Sequence, residues 1–127
     1  STESHLFRPG GENLPASGRA VTVDVKRWVD EARFSGEKFQ KVNLFDSERM
    51  FCDIYCFEPG QEQALHSHAT NDKIYHVIEG QGTFTVGAES RQLEAGWTVL
   101  CSPGEDHGVV NTGGERLVVL VFMAPHP

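Results

Sequence analysis

From residue 41 onward, short apolar or alternating runs are separated by turn-forming residues. Strands are predicted at 50–57, 64–68, 74–78, 83–86, 97–101, 107–110 and 117–123. The breaks between them are rich in Gly, Pro and Asn, which favour turns for distinct conformational reasons. Short strands at this density are typical of an antiparallel sandwich or barrel. The pattern therefore predicts an all-β domain over residues 41–127.

The run at 117–123 is apolar at every position and lacks the alternation of a strand that faces water. Such a strand has to be covered on both faces. We expect the opposite sheet to cover one face, and either a partner subunit or the N-terminal arm to cover the other. Because twofold dimers are the commonest soluble assembly, we expect a homodimer.

Residues 1–40 are predicted to form an N-terminal arm ahead of the barrel. Its first half is polar and contains Pro and Gly, as irregular segments do. The pattern of its second half allows two alternative secondary structures. Valines alternate with polar residues at Val21, Val23 and Val25, as in a short edge strand. Apolar residues at helical spacing instead favour a helix over 25–33, with Asp24 as its N-cap.

Length and charge narrow the classes of function. The 127 residues suit one domain. The 11 basic residues are scattered among 18 acidic ones, and the net charge is −7, which argues against nucleic acid as a partner. No apolar stretch approaches the roughly 20 residues that span a bilayer, and the sequence does not open on a signal segment. We therefore expect no membrane partner and a cytoplasmic location.

The chain has three cysteines, Cys52, Cys56 and Cys101. A secreted disulfide scaffold usually has more cysteines, and an even number of them. Cys52 and Cys56 are spaced like residues on one face of a strand. All three are expected to be buried thiols, since free Cys packs like a small hydrophobic residue. Cys101 has the alternative of lining a pocket.

A pair of histidines, His66 and His68, is separated by one residue. Strand side chains alternate between faces, so both imidazoles are expected to point the same way. Two adjacent imidazoles can bind a divalent ion, and they are poor neighbours once both are protonated. The pair alone leaves open both a metal site and a coincidence of position.

Two longer blocks surround these histidines. The first reads Gly60-x5-His66-x-His68, followed by Tyr75 and Gly80-x-Gly82. The second reads Gly96-x5-Ser102-x-Gly104-x2-His107-x3-Asn111. Together they resemble the two motifs of the cupin superfamily, in particular its small single-domain (cupin type 2) members. The resemblance implies a jelly-roll barrel, also called a double-stranded β-helix, in which His107 faces His66 and His68 as a third metal ligand.

The chain departs from the family where the fourth ligand, a glutamate, is usual. Counting back from Gly80 places Lys73 at that position. An ammonium has no lone pair and cannot bind a metal, whereas the neighbouring Asp72 could supply a carboxylate if the loop shifts. Period two puts Lys73 and Tyr75 on one face, and because the glutamate of the family points inward at this position, the resemblance implies that Lys73 points inward too. Candidate roles are pairing with a substrate anion for Lys73 and acid or base chemistry for Tyr75; a solvated lysine and a packed aromatic are the alternatives.

The resemblance implies a centre of three neutral imidazoles, similar to the three-histidine cupin dioxygenases. The expected cofactor is a divalent transition metal, Fe, Mn, Ni, Cu or Zn, among which three imidazoles do not decide. Without a carboxylate the centre has a charge of +2 and favours a small anionic ligand. The implied activity is that of an oxygenase, isomerase, lyase or decarboxylase. The alternatives are a non-enzymatic ligand-binding or sensor protein with a structural metal, and a barrel without metal.

Overall fold

The computed structural model describes residues 23–127, which form one short helix and nine strands. The helix, α1, spans Trp28–Glu31. The strands are β1 Gln40–Asp46, β2 Phe51–Phe57, β3 Glu62–His66, β4 Asp72–Glu79, β5 Gln81–Val86, β6 Glu89–Glu94, β7 Thr98–Cys101, β8 His107–Val110 and β9 Leu117–Ala124. The pairings between these strands are antiparallel. The predicted all-β jelly-roll class is thus confirmed.

The strands form two sheets that face each other. One has the order β1-β2-β9-β4-β7 and the other the order β3-β8-β5-β6. Side chains between the sheets form the inner core, in which Tyr55, Tyr75 and Val119 of the first sheet pack with Phe84 and Val109 of the second. The order leaves β1 and β7 as edges of one sheet and β3 and β6 as edges of the other. Within residues 23–127, each of these four strands therefore has one side without a neighbouring strand.

A second apolar group, the outer cluster, covers the far side of the five-stranded sheet. Here Ile54 and Val118 are buried, with Trp28 and Phe34 packed over them. Burial of each such side chain contributes about 1.5–3 kcal/mol. On the outer face of β9 this cluster covers Val118 and Leu120, whereas Phe122 is 37% exposed. The covering side chains Trp28 and Phe34 precede β1, so the arm covers part of this face, in agreement with one of the two alternatives.

The arm otherwise differs from expectation. The predicted helix over 25–33 is reduced to the single turn α1, whose N-cap is Arg27 rather than Asp24 and makes no side-chain capping bond. Val23 and Val25 lie in irregular structure and are exposed, so the predicted edge strand is wrong at these positions. Residues 1–22, including Val21, lie outside the described part. No helix within residues 23–127 has the length and apolarity that a membrane crossing requires.

Strands β1 and β6 are absent from the predicted set, although β1 falls in the region predicted to be all-β. The sequence of β6 is polar except for Leu93, and most of it is exposed, because it forms the outer edge of the four-stranded sheet. The cysteines behave as expected. Cys52 and Cys56 lie together in the outer cluster, Cys101 lies in the inner core, and all three are buried free thiols.

Candidate metal centre

Two of the three histidines face each other across a pair of strands. His66 ends β3, His107 begins β8, and their Cα atoms are direct partners in the antiparallel register. His68 lies just beyond β3, where its carbonyl accepts a hydrogen bond of 2.8 Å from the N–H of Gly104. Gly104 has a φ of +84°, a conformation that other residues adopt only with strain. The second motif therefore holds the third histidine in place through a backbone contact.

The three imidazoles form one cluster. Their ligand atoms all lie within 4.8 Å of one another. The ring centroids are 4.3 Å apart for His66 and His107, 5.1 Å for His66 and His68, and 5.5 Å for His68 and His107. Of the residues the structure describes, these three alone form such a group of potential metal ligands. The resemblance to cupins placed the same three residues together.

Backbone carbonyls orient two of the rings. His66 Nδ1 lies 2.8 Å from the carbonyl oxygen of Ala64, and His107 Nδ1 lies 3.1 Å from that of Glu105. A carbonyl oxygen only accepts, so each Nδ1 carries the proton and each Nε2 keeps a lone pair that can accept a hydrogen bond or bind a metal. This arrangement is the usual way in which proteins prepare a histidine to bind a metal.

The free nitrogens fit a metal ion. His107 Nε2 is buried and, among the side chains of residues 23–127, is the one buried nitrogen or oxygen without a hydrogen-bond partner. Burial is the main cause that lowers the pKa of His107 to about 4, and burial likewise lowers the pKa of His66 and of His68. All three rings are therefore neutral near pH 7, as metal ligands have to be.

Lys73 points inward from β4, as predicted, and is only 2% exposed. Its Nζ lies 3.3 Å from His66 Nε2 and stands over the rings of Tyr55 and Tyr75, at 5.4 and 5.1 Å from their centroids. Burial, followed by the positive charge of Lys41, lowers the pKa of Lys73 to about 8. A largely charged ammonium thus lies directly beside the histidine cluster.

Tyr75 is also on the inner face, and its ring centroid is 6.0 Å from that of His107. Its hydroxyl donates a hydrogen bond of 2.7 Å to Oε1 of Gln63, and burial raises its pKa far above the usual value. The proton of Tyr75 is therefore held firmly by Gln63. The structure places this side chain at the site as a packed wall, and its predicted acid or base role stays a prediction.

Asp72 is not brought to the cluster. It begins β4, is exposed, and lies next to Lys73 on a strand whose neighbouring side chains face opposite ways. Because Lys73 points inward, Asp72 points away from the imidazoles, and the structure does not support it as a fourth ligand. His76 likewise faces outward, where its Nδ1 is 2.7 Å from Thr98 Oγ1.

Cys101 lies across from Lys73 in the pairing of β4 and β7. It is 1% exposed, and burial raises its pKa to about 11. The thiol is therefore protonated and packed near the base of the site.

Sequence reasoning missed Gln63 and Tyr55. Gln63 is three residues before His66, so strict alternation would place it on the opposite face; a β-bulge between the two brings both inside. Tyr55 alternates with Ile54 along β2, and this period-two signal was available in the sequence.

Comparison with known proteins was consistent with this geometry. The sequence pattern of the cupin domain family matches residues 53–123. The chain is 31% identical over 86 residues to the oxalate-binding protein of Thermotoga maritima, covering 65% of this chain and 70% of that protein. It is 32% identical over 66 residues to an uncharacterised protein of Methanocaldococcus jannaschii, covering 52% of this chain and only 53% of the relative, about half its length.

Among solved structures, the protein TT1209 of Thermus thermophilus is similar over 83% of this chain and 100% of its own. The sequence identity is 37% and the TM-score is 0.81. The agreement therefore extends over the whole barrel.

Proposed function

The chain belongs to the cupin domain family, and we propose that it binds one divalent transition metal through its three clustered histidines and a small carboxylate anion beside that metal. The observation that carries the proposal is the buried, unpartnered Nε2 of His107 within a group of three neutral imidazoles. A buried nitrogen without a partner loses hydration without compensation. A metal ion supplies the missing partner.

The charge of the site supports an anionic ligand. Lys73 takes the position at which the cupin resemblance expects a glutamate, so the side chain adds a positive charge where the family has a negative one. None of the ion pairs formed within residues 23–127 gives Lys73 a carboxylate partner. A dication and an unpaired ammonium in one pocket attract a carboxylate strongly. The relative named oxalate-binding protein is consistent with this ligand class.

In this proposal His66, His68 and His107 hold the metal, and Lys73 donates hydrogen bonds to the anion. The packed rings of Tyr55 and Tyr75 exclude water behind Lys73 and keep its ammonium close to the imidazoles. The metal, when bound, supplies a Lewis acid with open coordination positions. Binding of the anion is the step that an oxygenase, an isomerase, a lyase and a non-enzymatic binding protein would share.

Metal analysis of the purified, untagged protein tests the first half of the proposal. We expect about one transition metal ion per chain by plasma mass spectrometry, and its loss in the double variant His66→Ala/His107→Ala. His76→Ala is the matched control, because His76 lies on the outer face of the same barrel. Metal that is absent from the wild type, or retained by the double variant, would refute the three-histidine centre.

Calorimetric titration of the metal-loaded protein with oxalate tests the second half. Loss of one charge-assisted hydrogen bond, worth about 1.5–3 kcal/mol, predicts roughly 10- to 100-fold weaker binding in Lys73→Met. The metal content should stay the same in this variant. If oxalate and other small acids fail to bind the metal-loaded wild type, the anion part of the proposal is wrong. Oxygen uptake with the bound acid, measured with an electrode, then distinguishes oxygenase activity from binding alone.

The homodimer expected from the sequence is kept as part of the proposal. Ile74, Leu100 and Phe122 form a row across the outer face of β7, β4 and β9, and Leu100 is 51% exposed. A second copy of the chain would cover this apolar row. Light scattering after gel filtration should give the mass of two chains, and Leu100→Asp should reduce it to one.

A further inference from the structure

A cleft of about 600 Å³ opens between the two sheets where β1 and β3 are both edge strands. Its walls include Phe39 and Leu65, and its polar lining includes Lys41, Gln63 and His66. The cleft is thus bordered by one of the three proposed metal ligands. Pockets of roughly 300–1,000 Å³ commonly hold drug-sized ligands. A two-carbon acid such as oxalate would fill only a small part of it.

Lys41 provides a second cation along this cleft. Along β1, Val42 and Leu44 face the outer cluster, so alternation turns Lys41 toward the inner face. Its Nζ lies 5.6 Å from the ring centroid of Tyr55, and the Nζ of Lys73 lies 5.4 Å from the same centroid. The two ammonium groups are therefore at most about twice that distance apart, with one deep in the barrel and the other exposed.

None of the ion pairs within residues 23–127 includes Lys41. The acid on the same inner face, Asp53, accepts a hydrogen bond of 2.8 Å from the side-chain amide of Asn43. Burial raises the pKa of Asp53, and the positive charges of Lys41 and Lys73 oppose this rise, so Asp53 offsets part of the charge of Lys41 without a direct contact. The ammonium of Lys41 thus keeps room for a ligand group, and the apolar surfaces of Phe39 and Leu65 lie along the same cleft.

We infer that the ligand of this site is an elongated dianion, with one carboxylate at the metal and Lys73, an apolar middle against Phe39 and Leu65, and a second acidic group at Lys41. This inference rests on the proposed function and adds the class of ligand. Lys41 is then the residue that distinguishes a dicarboxylic acid from a monocarboxylic acid of the same length. Its ion pair is partly exposed, which limits the expected gain to about fivefold.

Calorimetric titration of the metal-loaded protein with oxalate, adipate and hexanoate tests the inference. Adipate and hexanoate have six carbons each and differ in one terminal carboxylate. We expect the wild type to bind adipate about fivefold more tightly than hexanoate. Lys41→Met should remove this preference without changing the metal content. Lys26→Met is the matched control, because Lys26 also stands over an aromatic ring, that of Phe45, but away from the cleft.

A second readout locates the bound acid directly. In two-dimensional NMR spectra, adipate should shift the amide signals of Gln40, Lys41 and Leu65 more than hexanoate does. Equal affinities for adipate and hexanoate, or an unchanged preference for adipate in Lys41→Met, would overturn the inference. If oxalate still binds in that case, the proposed function remains valid. Failure of all three acids to bind would overturn both.

Discussion

Replacing Lys73 with Met is expected to stabilise the metal-free protein. Lys73 is 2% exposed, and burial lowers its pKa to about 8 from 10.5, which means that the folded state disfavours the charged form. At about 1.36 kcal/mol per pH unit, this difference corresponds to a cost of about 3 kcal/mol at pH 7. Met has similar length and no charge, so it removes the cost while filling the space.

Part of this gain is offset. Met cannot make the cation–π contacts with Tyr55 and Tyr75 or the hydrogen bond to His66, which are worth about 1–2 kcal/mol together. The net increase in the free energy of unfolding at pH 7 is therefore expected to be about 1–2 kcal/mol. The same residue that supports ligand binding thus lowers the stability of the empty barrel, a common relation between function and stability.

The pH dependence provides a sharper test. Below pH 8 the folded chain bears the full cost of the charged lysine. Between pH 8 and 10.5 the folded state loses the proton while the unfolded state keeps it, so the wild type gains stability as the pH rises. The advantage of Lys73→Met should therefore shrink to less than half its pH 7 value by about pH 9.5.

Urea unfolding in a chelating buffer, followed by tryptophan fluorescence at both pH values, measures this difference. Lys26→Met serves as the control, since Lys26 is exposed and its loss should change stability by less than about 0.5 kcal/mol at either pH. If Lys73→Met is no more stable than the wild type at pH 7, or if its advantage does not change with pH, the reasoning from burial is wrong.

Two further predictions concern packing. Gly80→Ala should lower the free energy of unfolding by more than about 3 kcal/mol in the same urea titration. Gly80 has a φ of +83°, and an added Cβ would collide with the backbone carbonyl of Arg116. Gly114 has open space around it, so the control Gly114→Ala should change the free energy of unfolding little. The three buried thiols should resist a colourimetric disulfide reagent in the native protein at pH 8 and all react in urea; rapid labelling of Cys101 before unfolding would contradict its packing in the inner core.

Most strands with a buried face were predicted, but β1, which buries Val42 and Leu44, was missed. The predicted run at 107–110 coincides with β8, and the run at 117–123 differs from β9 by one residue. Strand β6 escaped prediction because an exposed edge strand needs no apolar periodicity. Its only apolar residue, Leu93, gives no pattern to read. Apolar periodicity indicates that side chains are buried, and it gives no signal for an exposed strand that is held only by backbone hydrogen bonds.

Some features of the site could be predicted from the sequence and others could not. Alternation explained why His66 and His68 point the same way, but β3 ends at His66, and a hydrogen bond from Gly104 positions His68 instead. The inward direction of Lys73 was predicted from period two along β4 together with the inward position of the glutamate in the family. The contact between Tyr75 and Gln63 was not, because a bulge in β3 reverses the face that Gln63 would otherwise occupy.

Lys73 and the proposed metal would compete for one atom of His66. His66 Nε2 has one lone pair, and in the structure that lone pair accepts a hydrogen bond from Lys73. A metal held by the three histidines, as proposed, would take this lone pair and leave the ammonium buried among aromatic rings, where it needs a negative partner. A glutamate at this position would instead neutralise part of the charge of the metal. Lysine in place of glutamate changes the charge of the pocket by two, and this difference is the reason why the proposed metal centre is expected to require an anion beside it.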